Sequence, residues 1–161
     1  MQPEIVTIGV YGFTREAFFQ ALLDMHVEIF CDLRARRGVR GSQYTFVNSA
    51  RLQQSLQEIG IRYVHCKELA PSAALRTAQT EEDRQAHVAK RARSILSQRF
   101  IQGYEQECLA LFDVSQFMTQ ISENAAVICL FCVEHEPDAC HRSLVARHLS
   151  QKLQLPVNHI T

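Results

Sequence analysis

Apolar runs of strand length alternate along this chain with stretches of helical period. EIVTIGV (4–10), VEIFCDL (27–33), IRYVHC (61–66) and AAVICLFC (125–132) are predicted strands, and PVNHIT (156–161) a short last one. AAVICLFC is apolar almost throughout, the pattern of a strand covered on both faces. Between the strands, Thr14 offers an N-cap to a helix whose Phe18, Leu22 and Met25 share a face. Asn48 or Ser49 caps a second helix, with Leu52, Leu56 and Ile59 inward and Gly60 at its end. Residues 80–112 read as one long helix, or two broken near Gly103. Glu81, Glu82 and Asp83 would complement its N-terminal dipole, and Ala92, Ile95, Leu96, Phe100, Tyr104, Cys108 and Leu111 would form its apolar face. Val114 to Ile121 suits a shorter helix. Leu144, Val145, Leu149 and Leu153 define the last one, stopped by Pro156.

The order is βαβαβ, a helical excursion, then βαβ. It predicts a single Rossmann-like α/β domain over 1–161, doubly wound, with a mostly parallel sheet and helices on both faces. Ligands of such sheets bind outside the carboxyl ends of the strands, where the strand order reverses. With the order 3-2-1-4-5, that point lies between the first and fourth strands. Three unusual loops then share one rim: GVYGFT (9–14), DLRARRGVRGSQYTF (32–46) and FCVEHEPDACHRSLVA (131–146).

Composition narrows the classes. Apolar residues make up 47% and charged ones 21%, as in soluble globular chains. Lys plus Arg equal Asp plus Glu at 17 each, so attraction to nucleic acid must come from a local cluster. The N-terminus lacks the marks of a signal peptide and no apolar run could span a bilayer, so a cytoplasmic protein without a membrane partner is expected. The six cysteines, several within apolar runs, are expected to be free thiols.

Each rim loop carries candidate chemistry. Gly9 and Gly12 precede a helix start, where backbone amides can approach an anion, although neither a dinucleotide fingerprint nor a Walker lysine is present. Arg34, Arg36, Arg37 and Arg40 are all arginine and interleaved with Gly38 and Gly41, which suits bidentate phosphate recognition; Tyr44 and Phe46 offer rings for a base. Asp32, at the strand end, is placed to orient one of these arginines. In the third loop, Asp138 is the expected N-cap, with Cys140 and His141 in the first turn, where a thiolate is stabilised. Arg142 opposes the helix dipole, so it calls for a partner: the Glu134 carboxylate or a bound anion. Cys132, Cys140, His141 and also His135 are candidate zinc ligands, but the spacing C-x7-C-H fits no common zinc finger, and an arginine is misplaced for a phosphatase-type thiol loop; no metal and no cofactor are expected.

TIGVYGFT, DLRARRGVRGSQYTF, GIRYVHCKELAP and LFCVEHEPDACHRSLVA together resemble, in order and spacing, family 488 of the domains of unknown function. The resemblance covers essentially the whole chain and implies signature positions at Gly9, Asp32, Arg34, Cys132, Glu134, Cys140, His141 and Arg142. Members more often carry T-I-G-H-S after the first strand, where this chain has Val10 and Tyr11. The family implies a fold and a rim, not a reaction. The expected function is therefore binding of a phosphate-bearing ligand, a nucleotide or nucleic-acid end, with Arg34, Arg37, Arg40 and Arg142 on the anion. Glu134 or His141 would serve as acid or base if the protein is a hydrolase or transferase. Two alternatives are a non-enzymatic nucleic-acid module using 34–40 and thiol chemistry at Cys140.

Overall fold

The computed structural model describes residues 2–121 and 124–161. Five strands, β1 (Glu4–Ile8), β2 (Ile29–Asp32), β3 (Arg62–His65), β4 (Val127–Phe131) and β5 (Val157–Ile160), form one sheet in which every pairing is parallel. Six helices join them: α1 (Arg15–Asp24), α2 (Ser49–Glu58), α3 (Ala73–Gln85), α4 (Gln98–Glu107), α5 (Val114–Ile121) and α6 (His141–Leu153).

Side chains alternate between the two faces of the sheet. Val6, Ile8, Phe30, Cys129 and Phe131 pack with Phe18 and Leu22 of α1 and Leu52 and Leu56 of α2. Ile5, Ile29, Cys31, Ile128 and Leu130 pack on the other face with Phe100 and Tyr104 of α4, Phe117 of α5 and Val145 and Leu149 of α6. The chain is thus an α/β protein with helices on both faces.

The strand order is β3-β2-β4-β1-β5, not 3-2-1-4-5. β3 and β5 are the edges in either order, so what differs is the centre: β4 is apolar at every position, whereas β1 carries Glu4 and Thr7. All five residues of β4 are buried, whereas β3 and β5 are partly exposed along their length. The most apolar strand takes the centre and separates β1 from β2. Its following loop is therefore flanked by both of the other loops on the carboxyl rim.

The expected long helix over 80–112 does not form. Ser72 caps α3, its Oγ accepting from the Leu75 amide, so the helix starts at Ala73, well ahead of Thr80, and Glu81, Glu82 and Asp83 fall near its end. The chain leaves helical geometry at His87 (φ 56°), and a second cap at Ser97 starts α4. The apolar face holds only from Leu96 to Cys108: Ile95 before it is 63% exposed and Leu111 after it 81%. Gly103 lies inside α4 instead of breaking it, because α3 crosses there and a Cβ would come within 2.5 Å of the Leu75 Cδ2. Overpacking near the middle of its range, about 2 kcal/mol, less about 1 kcal/mol of helix propensity gained, leaves Gly103→Ala an expected net cost of about 1 kcal/mol. A lower urea midpoint with unchanged slope is the check.

Candidate functional site

The third loop is built by a buried arginine. After β4, the chain runs through Cys132, Val133 and Glu134, makes a single 3-10 turn over Pro137–Ala139 and enters α6. The N-cap is Cys140, not Asp138: proline opens the 3-10 turn, and Cys140 has the extended backbone of a cap (φ −139°, ψ 148°). Arg142 is 0% exposed; its Nη1 donates to the Glu134 carbonyl at 2.5 Å and its Nη2 to the His135 carbonyl at 2.9 Å. Two carbonyl dipoles thus take the place expected of the Glu134 carboxylate or an anion. Arg142 positions the loop. Gly9 makes this possible, since a Cβ there would overlap the Glu134 carbonyl oxygen.

Beside this loop lies a cavity of about 650 Å³. Arg34 and Arg36 of the second loop line it, with Arg76 and Arg84 of α3 and Lys90 and Arg93 of the segment joining α3 to α4. Among the described residues, Asp83 and Glu134 are the acids of its lining against six cations, of which Arg34 and Arg84 also pair with Asp32 and Glu81 outside it. Arg34 is held rigidly: Nε and Nη2 donate to the two Asp32 carboxylate oxygens at 2.9 and 2.8 Å, and Nη2 also reaches the Val47 carbonyl at 2.8 Å. Tyr63 donates its hydroxyl to the same carboxylate at 2.7 Å, and the guanidinium lies 4.8 Å from the Phe131 ring centroid. Its Nη1 is buried without a partner, as is Nε of Arg76.

Arg93 clasps the helical excursion onto the loop. It donates to Asp83 Oδ2 at 2.7 Å, to Glu134 Oε1 at 3.0 Å and twice to the Ala139 carbonyl. Glu134 keeps its other oxygen, Oε2, buried and unpartnered. Burial pushes the Glu134 carboxyl above its ordinary range, the Cys132 sulfur adds to this, and Lys90 and Arg93 hold it back.

Cys132, Cys140 and His141 form the cavity's deep wall, all buried. His141 Nε2 lies 2.9 Å from the Leu33 carbonyl, which can only accept, so Nε2 carries the proton. Nδ1 then faces Cys140 Sγ at 3.8 Å. Burial opposes a charge on His141, but Cys132, the Leu33 carbonyl and Glu134 outweigh it and the balance lies above the ordinary value. The Cys132 thiol is pushed up to about 12 by its hydrogen bond with Cys140 and by burial. A metal-free nucleophile needs the opposite shift.

Of the sequence-predicted residues, Arg34, Cys132, Glu134, Cys140 and His141 meet at this cavity, and Asp32 supports Arg34 from behind. Others do not join them. The amide of Gly12 donates to the Tyr44 hydroxyl, and those of Val10 and Tyr11 both go to the Val133 carbonyl, so the first loop leaves no cradle of free amides. Tyr44 and Phe46 are buried in the core instead of presenting rings to a base. Arg37 reaches the Tyr63 hydroxyl at 3.5 Å, Arg40 is exposed, and neither lines the cavity. Sequence reasoning missed the wall from α3 and the following segment. Arg76, Gln79, Thr80 and Asp83 recur at helical spacing, but a polar helical face reads as solvent-facing unless a partner such as Arg93 is placed against it.

The fold and site define a parallel α/β protein with a basic cavity at the carboxyl rim of its sheet. The chain belongs to the family described as Domain of unknown function DUF488, whose model matches residues 14–149. No curated protein and no solved structure gives a significant match. No helix among the described residues is long and apolar enough to cross a membrane.

Proposed function

We propose that the rim cavity binds a phosphate-bearing ligand, a nucleotide or a nucleic-acid end, and that the protein acts on it as a hydrolase or transferase. The observation that carries this reading is Arg34: a buried guanidinium, oriented by Asp32, that lines the cavity with Nη1 unpartnered. Fixing a charge in this way and leaving part of its donor set unused is costly without a ligand, and a planar guanidinium suits phosphate oxygens. Arg76 supplies a second unused donor, and Arg36 and Lys90 stand at more exposed positions of the wall. Arg142, whose Nη1 and Nη2 are taken by carbonyls and whose Nε is buried and unpartnered, does not line the cavity and acts here by positioning the loop. Glu134, whose carboxyl burial favours protonated, is the acid, and His141 is the alternative proton carrier.

The test is a thermal-shift screen of wild type and Arg76→Gln against nucleotides, sugar phosphates and 5′-phosphorylated oligonucleotides. A ligand at a hundred times its dissociation constant stabilises by about 2.7 kcal/mol. In a domain of this size that is a rise of roughly 5–10 °C. The expected result is such a rise in wild type and a much smaller one in Arg76→Gln. No rise with any phosphate-bearing compound overturns the reading.

Arg36 and Arg40, both exposed on the second loop, favour a second reading, a non-enzymatic nucleic-acid surface. Its mark is affinity for unphosphorylated oligonucleotides that falls steeply with salt, by about 0.7–0.9 in log–log slope per phosphate contact. The cavity reading instead requires a preference for the terminal phosphate.

A further inference from the structure

The cavity's deep wall gathers groups that the chain spacing does not advertise. Cys132 Sγ, Cys140 Sγ and a ring nitrogen of His141 all lie within 4.8 Å of one another, and all three residues are buried. They come from two directions: Cys132 follows the central strand, and Cys140 and His141 open α6. Spacing of C-x7-C-H argued against zinc only because it matches no local knuckle; here the strand-loop-helix turn does the gathering that a knuckle does elsewhere.

We propose that Cys132, Cys140 and His141 bind a thiophilic divalent cation, zinc, with a fourth position left to water or substrate. Three observations carry it. The first is spacing. Zinc–sulfur and zinc–nitrogen bonds of about 2.3 and 2.05 Å at a tetrahedral angle put sulfur roughly 3.6 Å from nitrogen and 3.8 Å from a second sulfur. The Cys140 Sγ to His141 Nδ1 distance is 3.8 Å and the other two pairs lie within 4.8 Å, so movements of about 1 Å or less close the set. The second is orientation. Zinc-bound histidines characteristically donate their other N–H to a carbonyl or carboxylate. The 2.9 Å contact from Nε2 to the Leu33 carbonyl does this here and leaves Nδ1 on the sulfur side. The third is access. All three ligands line the cavity, so the vacant position opens on it, and three protein ligands with an open fourth position mark catalytic zinc sites, not structural ones. Glu134 lines the same cavity, and its unpartnered Oε2 is a ready acceptor for a metal-bound water. Two thiols and an imidazole select zinc over magnesium or calcium, which prefer oxygen.

The site shares its cavity with the anion reading, and a metal on His141 would leave Glu134 as the proton carrier there; the test uses metal alone, so its outcome does not depend on phosphate binding. Protein reduced with a phosphine, its six thiols counted as free under denaturing conditions, is titrated with Co(II) in place of zinc. The expected result is one Co(II) per chain, a thiolate-to-cobalt charge-transfer band and tetrahedral d–d bands, all abolished by one equivalent of zinc. Zinc binding should also release protons from the thiols, which calorimetry in buffers of different ionisation enthalpy detects. Cys132→Ser and Cys140→Ser, each keeping one thiolate of the site, should lose at least half of the charge-transfer intensity and the double variant all of it; Cys108→Ser, away from the cavity, should keep it. Far-ultraviolet circular dichroism shows whether each variant folds. Cys132→His, which still offers a ligand, should keep tetrahedral bands with weaker charge transfer. Absence of the band in reduced wild type overturns the proposal. Its persistence at full intensity in folded Cys132→Ser also overturns it, by placing the metal elsewhere, for instance on Cys31 and Cys66.

Discussion

Replacing Asp32 with alanine is expected to cost about 3–5 kcal/mol, the range for removing one partner of a buried ion pair. Asp32 is fully buried and Arg34 is 4% exposed, so the arginine left behind would hold its charge almost wholly out of water, meeting it only along the cavity wall. The change also strips the acceptor from the Arg34 amide and from the Tyr63 hydroxyl. A typical domain has about 5–15 kcal/mol in all, so the variant should sit near its unfolding threshold. Urea denaturation of wild type and variant is the check. The double variant Asp32→Leu/Arg34→Met should recover much of the loss, because a buried pair exchanged for apolar groups is often neutral. A single-variant cost below about 1 kcal/mol, the level of an exposed pair, would show that Arg34 finds another partner and would weaken the view that it is held for a ligand.

Gly9→Ala should cost about 3 kcal/mol, at the top of the range for overpacking. The added methyl meets backbone, not a side chain that can turn: the Glu134 carbonyl, itself bonded by Arg142. Relief requires moving the loop after β4, which would also shift Glu134 and loosen the cavity wall. Gly41→Ala is the contrast. Nothing lies near its Cβ, but its φ of +82° disfavours a side chain, and that strain is worth about 1 kcal/mol. A drop in the Gly9→Ala midpoint no larger than that of Gly41→Ala would show that the loop yields freely.

How far these features can be read in the sequence depends on the range of the interaction. The strands are legible because each is a short apolar run, and β4 announces its double burial through Val127 to Phe131. Its place between β1 and β2 is not legible, since pairing choice is decided between segments far apart in the chain. The same holds for the excursion. Leu96, Phe100 and Tyr104 carry a true helical period, but the break before them comes from two serine caps and the Arg93 clasp. At the site, Asp32, Arg34, Glu134 and Cys140 stand out as chemistry crowded into loops. Arg76 and Asp83 do not, because their function comes from what the fold sets against them.

The position of β4 also governs when the protein can become itself. β1 pairs only with β4 and β5, and β2 only with β3 and β4. Until the ribosome has made Val127 and the residues after it, β1 has no sheet neighbour, and the β2–β3 pair has nothing to join. Contacts so distant in sequence slow folding and leave apolar edges waiting. The rim is closed by the same late segment, since Arg142, His141 and Arg93's partner Glu134 all follow β4. A nascent or truncated chain ending before Val127 would therefore be a client for chaperones, with two unpaired halves and no cavity between them.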